Sequence, residues 1–405
     1  MSLHIALCGP ASLDMLEGYL TAHTRGALQH VGYPFPLLPT LASAYLERGH
    51  RVSLVTTSRD VTAVVPYIDD RLSIVVAPSR PRARSRAMDM FSVERAGVAS
   101  ALRLVKPGIV HAHWTYEFAL GALRANVAPT LITAHDAPLT VLKHMPDVYR
   151  LVRAAMAVRM SLKRPVMTAV SPYLAERWRQ EMGFRGDMDV IPNPIPASSP
   201  FRSNPSEASS GPIVLSVADA SRRKNVVTLI SAFRLVREAN PLAELRLVGD
   251  GLGPGDELAL RHRAGDETAG VTFLGRLSRE EVEREYASAQ VFCHTSLEES
   301  QGLVLLEAAR RGLPIVAGRN SGAVRWTLLD GEAGLLTDVR SPSDVALALI
   351  SVLNDASNSI GRARDGERRL NERFGVDVVA GAYLRKYESV ISGGPFQAPL
   401  AAADK

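Results

Sequence analysis

The sequence predicts an α/β protein built from two Rossmann-like domains that face each other across a cleft. Three observations carry that expectation. Short runs rich in Val and Ile alternate with longer amphipathic stretches, a segment rich in Pro, Ser and Gly interrupts the pattern once near the middle, and the alternation then starts again. The 405 residues suit two or three domains. With 46% hydrophobic and 22% charged residues, the composition is that of a chain that folds.

In the first half, His4–Cys8 is an apolar run stopped by Gly9 and Pro10, and residues 37–46 read as a helix closed by Arg48 and Gly49. Strand-like runs follow at 52–56, 72–76, 109–111, 130–134, 166–170 and 190–191, with helical stretches between them, among them 88–105. These make a first domain over 1–195. Residues 196–212 carry Pro, Ser or Gly at 11 of 17 positions and read as a linker. Beyond it, strands at 213–217, 245–248, 271–274, 291–294 and 315–317 alternate with helices at 226–239, 255–264, 279–289 and 303–311, giving a second domain over 213–375. A last helix, over 376–392, either completes the second half or crosses back to the first, and 393–405 read as a frayed tail. In open parallel sheets, ligands bind beyond the carboxyl ends of the strands, so both domains should turn that edge toward the cleft.

Cys8 and Cys293 are the only cysteines, which excludes a disulfide framework and a four-thiolate metal site and fits two reduced thiols in a cytoplasmic protein. No apolar run approaches the roughly 18–20 residues that cross a bilayer, and Met1 to Cys8 does not read as a secretory signal. The net charge of +5 is uneven: 22 Lys and Arg against 15 Asp and Glu over 1–195, then 25 against 27 over the rest. A basic front half suits anionic substrates, acidic lipid headgroups or nucleic acid. Nucleic acid is set aside, because no aromatics interleave with the basic residues and no binding motif is present. Arg80, Arg82, Arg84 and Arg86 alternate in one segment, which is either a flexible solvated loop or a contact with an anionic membrane surface or a charged acceptor.

Chemistry concentrates between His294 and Gly318, HTSLEESQGLVLLEAARRGLPIVAG. Glu299 lies in the loop after a strand and Glu307 about one turn into the next helix, so both can face a ligand lying across the helix N-terminus. The N–H groups of Gly302, Leu303 and Val304, with the helix dipole, would seat a diphosphate. Two carboxylates flanking such a seat fit a nucleotide sugar. Lys224 opens a helix after a strand and a polar loop, where its ammonium can neutralise charge building on a leaving diphosphate. His111 and His113 alternate at a strand end, so both point to one face, an arrangement that also occurs in metal sites. The glycines of GDGLGPG (249–255) lack dinucleotide-binding spacing and read as a turn.

The ordered set LERGH (46–50), IVHAHW (109–114), TAHD (133–136), VIPN (190–193), Lys224–Asn225, LVGDG (247–251), FLG (273–275) and the double-Glu segment resembles the retaining GT-B glycosyltransferases of family 4, with their E-x7-E signature, over nearly the whole chain. The resemblance implies transfer of a sugar from a nucleotide-diphosphate donor to a hydroxyl of a glycan, lipid-linked or small-molecule acceptor, with retention of configuration and with no metal or other cofactor. It implies that Glu299 holds hydroxyls of the donor sugar, Glu307 those of the ribose, and that His135 lies beside the reaction centre, with the base read around Gly275 and Arg276. A phosphate oxygen would take the acceptor proton, so neither Asp136 nor Glu117 is needed as a base. Two departures stand out. Asp219 occupies the place of a usual Arg, so that either Arg222 or Arg223 supplies the second cation or donor binding is weakened, and Gly32–Tyr33–Pro34 stands where a Gly-rich turn is common. Gly32, Tyr33 and His113 are assigned to the acceptor side. Alternatives on the same scaffold are a nucleotide-sugar epimerase, a phosphorylase, or a binder of sugar nucleotides without activity.

Overall fold

A computed structural model describes residues 2–28, 35–195, 211–264 and 269–393. The chain forms two compact units, Met1–Ala197 with Phe374–Lys405, and Ser198–Arg373. Most of the 196–212 linker, Gly32 and Tyr33, and the tail beyond residue 393 lie outside the described residues.

The first unit runs β1 (His4–Cys8), α1 (Ala22–Ala27), α2 (Leu37–Glu47), β2 (Arg51–Ser58), β3 (Val65–Ile68), β4 (Leu72–Pro78), α3 (Ala83–Met88), α4 (Ser92–Val105), β5 (Ile109–His113), α5 (Glu117–Ala125), β6 (Thr130–Ala134), α6 (Pro138–His144), α7 (Val148–Ser161), β7 (Val166–Ala169), α8 (Pro172–Met182) and β8 (Met188–Val190). Its eight strands lie in the order β3-β4-β2-β1-β5-β6-β7-β8, parallel except for β3 at the edge. Alternation across the sheet sorts the core. Ala6 and Cys8 of β1 pack with α4 and α5 on one face, while Ile5 and Leu7 pack with α2 on the other.

Several boundaries differ from the sequence expectation. The helix expected at 88–105 begins at Ser92, because Met90 and Phe91 take left-handed φ of 53° and 60° that no helix accommodates. The Arg-rich segment is not a flexible loop: residues 83–88 are helical, and Arg80 is held by Glu94 and Asp89, each at 2.8 Å. Strand β5 extends through His113, so that residue sits in the sheet and not after it.

The second unit runs β9 (Ile213–Val217), α9 (Val226–Ala239), β10 (Glu244–Val248), α10 (Glu257–Ala264), β11 (Val271–Gly275), α11 (Arg279–Ser288), β12 (Val291–His294), α12 (Leu303–Arg310), β13 (Ile315–Gly318), α13 (Val324–Thr327), β14 (Leu335–Thr337), α14 (Pro342–Asn354) and α15 (Ala356–Phe374). All six strands are parallel, in the order β11-β10-β9-β12-β13-β14. Numbered within the unit this is the 3-2-1-4-5-6 order of dinucleotide-binding folds, whose direction reverses between β9 and β12. Gly249, just past β10, takes a φ of +138°, and a Cβ there would stand 1.8 Å from the Ala218 carbonyl oxygen, so only glycine fits.

The last helix, α16 (Val376–Ser392), belongs to the first unit and packs on α2. Its buried tyrosines explain why. Tyr387 Oη lies 3.1 Å from Tyr45 Oη and 2.7 Å from His111 Nδ1, while Tyr383 Oη lies 3.3 Å from Thr133 Oγ1. Replacing Tyr387 with Phe strands His111 Nδ1 in the core. The expected cost is about 1–3 kcal/mol, read as a lower urea midpoint at unchanged slope; an unchanged midpoint would show that the helix is held by apolar contact alone.

Candidate functional site

In the second unit the site forms where the strand order reverses. The loop after β9 carries Arg223 and Lys224, and the loop after β12 carries Glu298 and Glu299. Backbone contacts latch the two loops together: Leu297 N–H donates to the Arg223 carbonyl at 2.7 Å, and Thr295 Oγ1 lies 3.2 Å from the carbonyls of Lys224 and Asn225. Asn225 takes a left-handed φ of 53° before α9 and donates its amide to the Val339 carbonyl at 2.7 Å. That turn aims Lys224 into the site.

The Glu299 carboxylate is the focus. Lys224 Nζ pairs with Oε1, His294 Nε2 lies 3.3 Å from the same oxygen, and Arg223 Nη1 lies 3.7 Å from Oε2. Burial opposes ionisation of Glu299, but Lys224, the His294 hydrogen bond and Arg223 outweigh it and hold the carboxyl well below the usual range. Burial keeps His294 below its ordinary pKa, against the pull of Glu299. The neutral imidazole therefore donates its Nε2–H to the carboxylate. Three residues on, Gly302 turns into α12 with φ +86°, and the first N–H groups of that helix, Leu303 and Val304 among them, have no partner within it. This places them beside a buried acid and two cations.

Glu307 stands one turn into α12, where Tyr286 Oη donates to its Oε2 at 3.1 Å. Burial raises the Glu307 carboxyl, opposed by Tyr286 and by Arg279 and Arg310. Arg276, past β11, is exposed and pairs with Asp250 at 2.8 Å. The structure thus gathers Arg223, Lys224, Glu299 and Gly302 at one point and leaves Arg276 on an exposed ion pair of its own. Sequence reasoning missed His294, at the first position of the segment it singled out, and Tyr286, a buried aromatic on the otherwise charged helix α11.

In the first unit His113 and His135 come together at the carboxyl ends of β5 and β6. His113 Nδ1 lies 2.9 Å from His135 Nε2, and Trp114, with φ 65°, stacks on His135 at 4.4 Å between ring centroids. Both nitrogens of His111 are engaged, with Tyr387 and with Thr133 at 2.7 Å. Among the described residues no group of three His, Cys, Asp or Glu side chains is placed to hold a metal ion. Asp136 accepts from Tyr116 Oη at 2.9 Å, and the half-buried Arg153 lies over the Tyr116 ring. No helix among the described residues is long and apolar enough to cross a membrane.

Two Rossmann-like units, the second with a buried acid and two cations at its switch point, define the GT-B class of glycosyltransferase folds. The family profile described as Glycosyltransferase Family 4 matches residues 38–199, and that of Glycosyl transferases group 1 matches 199–368. The chain belongs to this family of GT-B glycosyltransferases. A phosphatidyl-myo-inositol mannosyltransferase of Mycolicibacterium smegmatis is 33% identical over 226 residues, 55% of this chain and 56% of that protein. The chain thus spans little more than half the length of that relative. A glycogen synthase of Mycobacterium tuberculosis is 26% identical over 385 residues, covering 86% of this chain and 88% of that protein. Among solved structures, the sucrose-phosphate synthase of Thermosynechococcus elongatus shares the fold with a TM-score of 0.74 at 18% identity, over 97% of this chain and all of that one.

Burial holds the pKa of His111, His113 and His135 below the ordinary 6.5, that of His135 down at about 3. Unfolded imidazoles titrate near 6.5, so below that value the unfolded chain binds more protons than the folded one. This contribution to stability is complete above about pH 7 and falls as the solution is acidified, for His135 by about 2 kcal/mol by about pH 5. Calorimetric melting temperatures across that range should decline less steeply for His113→Gln than for the wild-type chain; parallel curves would contradict the neutral-histidine assignment.

Proposed function

We propose that this protein is a retaining glycosyltransferase that moves a sugar from a nucleotide-diphosphate donor to a hydroxyl of a lipid-linked or glycan acceptor. The observation that carries the proposal is the buried Lys224–Glu299 pair, with Arg223 beside it, at the N-terminus of α12. A diphosphate arriving at that helix end meets unpaired N–H groups and two cations, which stabilise the charge that grows as the sugar bond breaks. In this reading the side chains of Lys224 and Arg223, and not a bound metal, supply the positive charge. The ionised Glu299 accepts hydrogen bonds from donor-sugar hydroxyls, and Glu307, steadied by Tyr286, takes the ribose hydroxyls.

Retention is the reading that the family resemblance favours, with no protein base in the proton transfer. In this reading a phosphate oxygen takes the proton of the incoming hydroxyl, while Asp136 accepts a hydrogen bond from Tyr116. His135, neutral by burial, donates a hydrogen bond to a sugar oxygen without adding charge. The names of the relatives support lipid acceptors and, in a related Mycobacterium tuberculosis mannosyltransferase described as GDP-mannose-dependent, a guanine nucleotide donor. The HepE protein of Anabaena, solved with UDP-glucose, supports uracil as the other donor to try.

Thermal melts with GDP-mannose and UDP-glucose test the site. One of them should raise the melting temperature, since ligand at about a hundred-fold excess over Kd adds about 2.7 kcal/mol to the folded state. Each variant is compared with its own ligand-free melt, because Lys224→Ala also leaves a buried carboxylate with one cation fewer. Lys224→Ala and Glu307→Ala should each weaken binding about ten-fold or more. If neither nucleotide sugar shifts the wild-type melt, the donor site is wrongly assigned.

A further inference from the structure

We propose that the outward face of α7, together with the neighbouring α3, is the surface by which this protein docks on an anionic lipid bilayer. The inference stands independently of the reaction proposed above. Helix α7 is apolar on two opposite sides. Its inner side, Ala154, Met156, Ala157 and Met160, is buried in the core of the first unit. Its outer side continues past the helix end as Val148, Leu151, Ala155, Val158 and Leu162, spaced alternately three and four residues apart, so all five fall in one stripe. All are exposed, Val148 at 72%, Leu151 at 56%, Val158 at 44% and Leu162 at 77%.

A helix covered on one side by its own core is ordinarily polar on the other. Charge decides what suits this stripe. From Val148 through Ala175 the chain has no acidic residue, and Arg159, Lys163 and Arg164 are exposed at the end of the stripe. Asp147, at the start, is paired with Arg150. Helix α3 packs beside α7 and adds Met88, 80% exposed, with Arg82 and Arg84, both exposed. The alternating arginines thus divide: Arg80 is clamped by Asp89 and Glu94 and Arg86 lies over Phe91 and Tyr149, while the other two face water. Apolar side chains flanked by unopposed cations match a helix lying in the plane of a bilayer surface, its stripe among the acyl chains and its cations among anionic headgroups. A second copy of the chain suits this face less, because two such stripes would bring cations against cations with no acid to pair them.

Co-sedimentation of the full chain with vesicles tests this, using phosphatidylcholine alone and phosphatidylcholine mixed with phosphatidylglycerol. The protein should pellet with the anionic vesicles, less so as salt is raised, and should stay in the supernatant with the neutral ones. Leu151→Gln with Val158→Gln should weaken binding about ten-fold or more, and each of Arg159→Ser, Lys163→Ser and Arg164→Ser by about five-fold. All five positions are exposed, so melting temperatures should match the wild type and exclude unfolding as the cause. Failure to bind anionic vesicles, or undiminished binding by these variants, overturns the proposal. So does a vesicle-free dimer in sedimentation equilibrium that dissociates in the Leu151→Gln, Val158→Gln chain, which would give the face to a second copy. None of these readouts involves a nucleotide sugar, so their failure is separate from failure of the donor site.

Discussion

The second unit is organised around the buried Glu299 carboxylate, beside which Glu298 is buried too, its Oε2 3.6 Å from Arg223 Nη1. A carboxylate taken out of water costs several kcal/mol unless cations and hydrogen bonds replace its hydration, and Glu299 recovers that cost from Lys224, Arg223 and His294. The local backbone follows from that requirement. Lys224 reaches Glu299 because Asn225 turns left-handed behind it, and the loop bearing Glu299 stays in reach because Thr295 and Leu297 bond back to the loop bearing Lys224. The Ala323 N–H donates to the Glu299 carbonyl at 2.9 Å, fixing the far side of the same loop. These contacts fix where Lys224, Arg223 and Glu299 stand relative to one another.

The first unit meets the same problem with the opposite solution. At the carboxyl ends of β5 and β6 three imidazoles lie among hydroxyls and an indole, with Asp136 held by Tyr116, and burial strips the imidazoles of their charge. His111 bonds to Tyr387 and Thr133, and Thr133 in turn lies 2.6 Å from Thr168, so the network crosses three adjacent strands and one helix through neutral hydrogen bonds. Such a network can orient a hydroxyl without attracting an anion. It also explains why α16 belongs to this unit: its tyrosines supply the hydroxyls that the strand histidines need.

Much of this was legible in the sequence, for identifiable reasons. Strands such as His4–Cys8, Thr130–Ala134 and Ile213–Val217 stand where their apolar runs do, because a parallel strand buried on both faces has no polar position to blur its ends. The family comes from motifs whose order along the chain is itself a constraint. What sequence could not show is pairing across distance. Nothing in the string links Tyr286 to Glu307 or Tyr387 to His111, since each pair is brought together only by packing of separate elements. The periodicity starts the 88–105 helix too early because Met90 and Phe91 are apolar and fit the period, while both take left-handed φ in the turn between α3 and α4. The outer stripe of α7 escaped notice for a related reason: an apolar position at helical spacing reads as core until its exposure is known.

The Asp219 departure shows how a loop can keep a charge while changing its source. Asp219 accepts a hydrogen bond from Ser221 N–H at 2.9 Å, the side-chain turn that short acidic residues favour. That bend precedes Arg222, which is exposed, and Arg223, whose Nη1 donates to the Glu298 carbonyl at 3.2 Å and lies within 3.7 Å of Glu299. An Arg at 219 would approach the site from five residues before Lys224; Arg223 approaches from the adjacent position, with its own carbonyl anchored by Leu297 N–H. Two cations therefore still stand at Glu299. The acid at 219 serves the turn, and Arg223 is the cation that this loop sets beside Glu299.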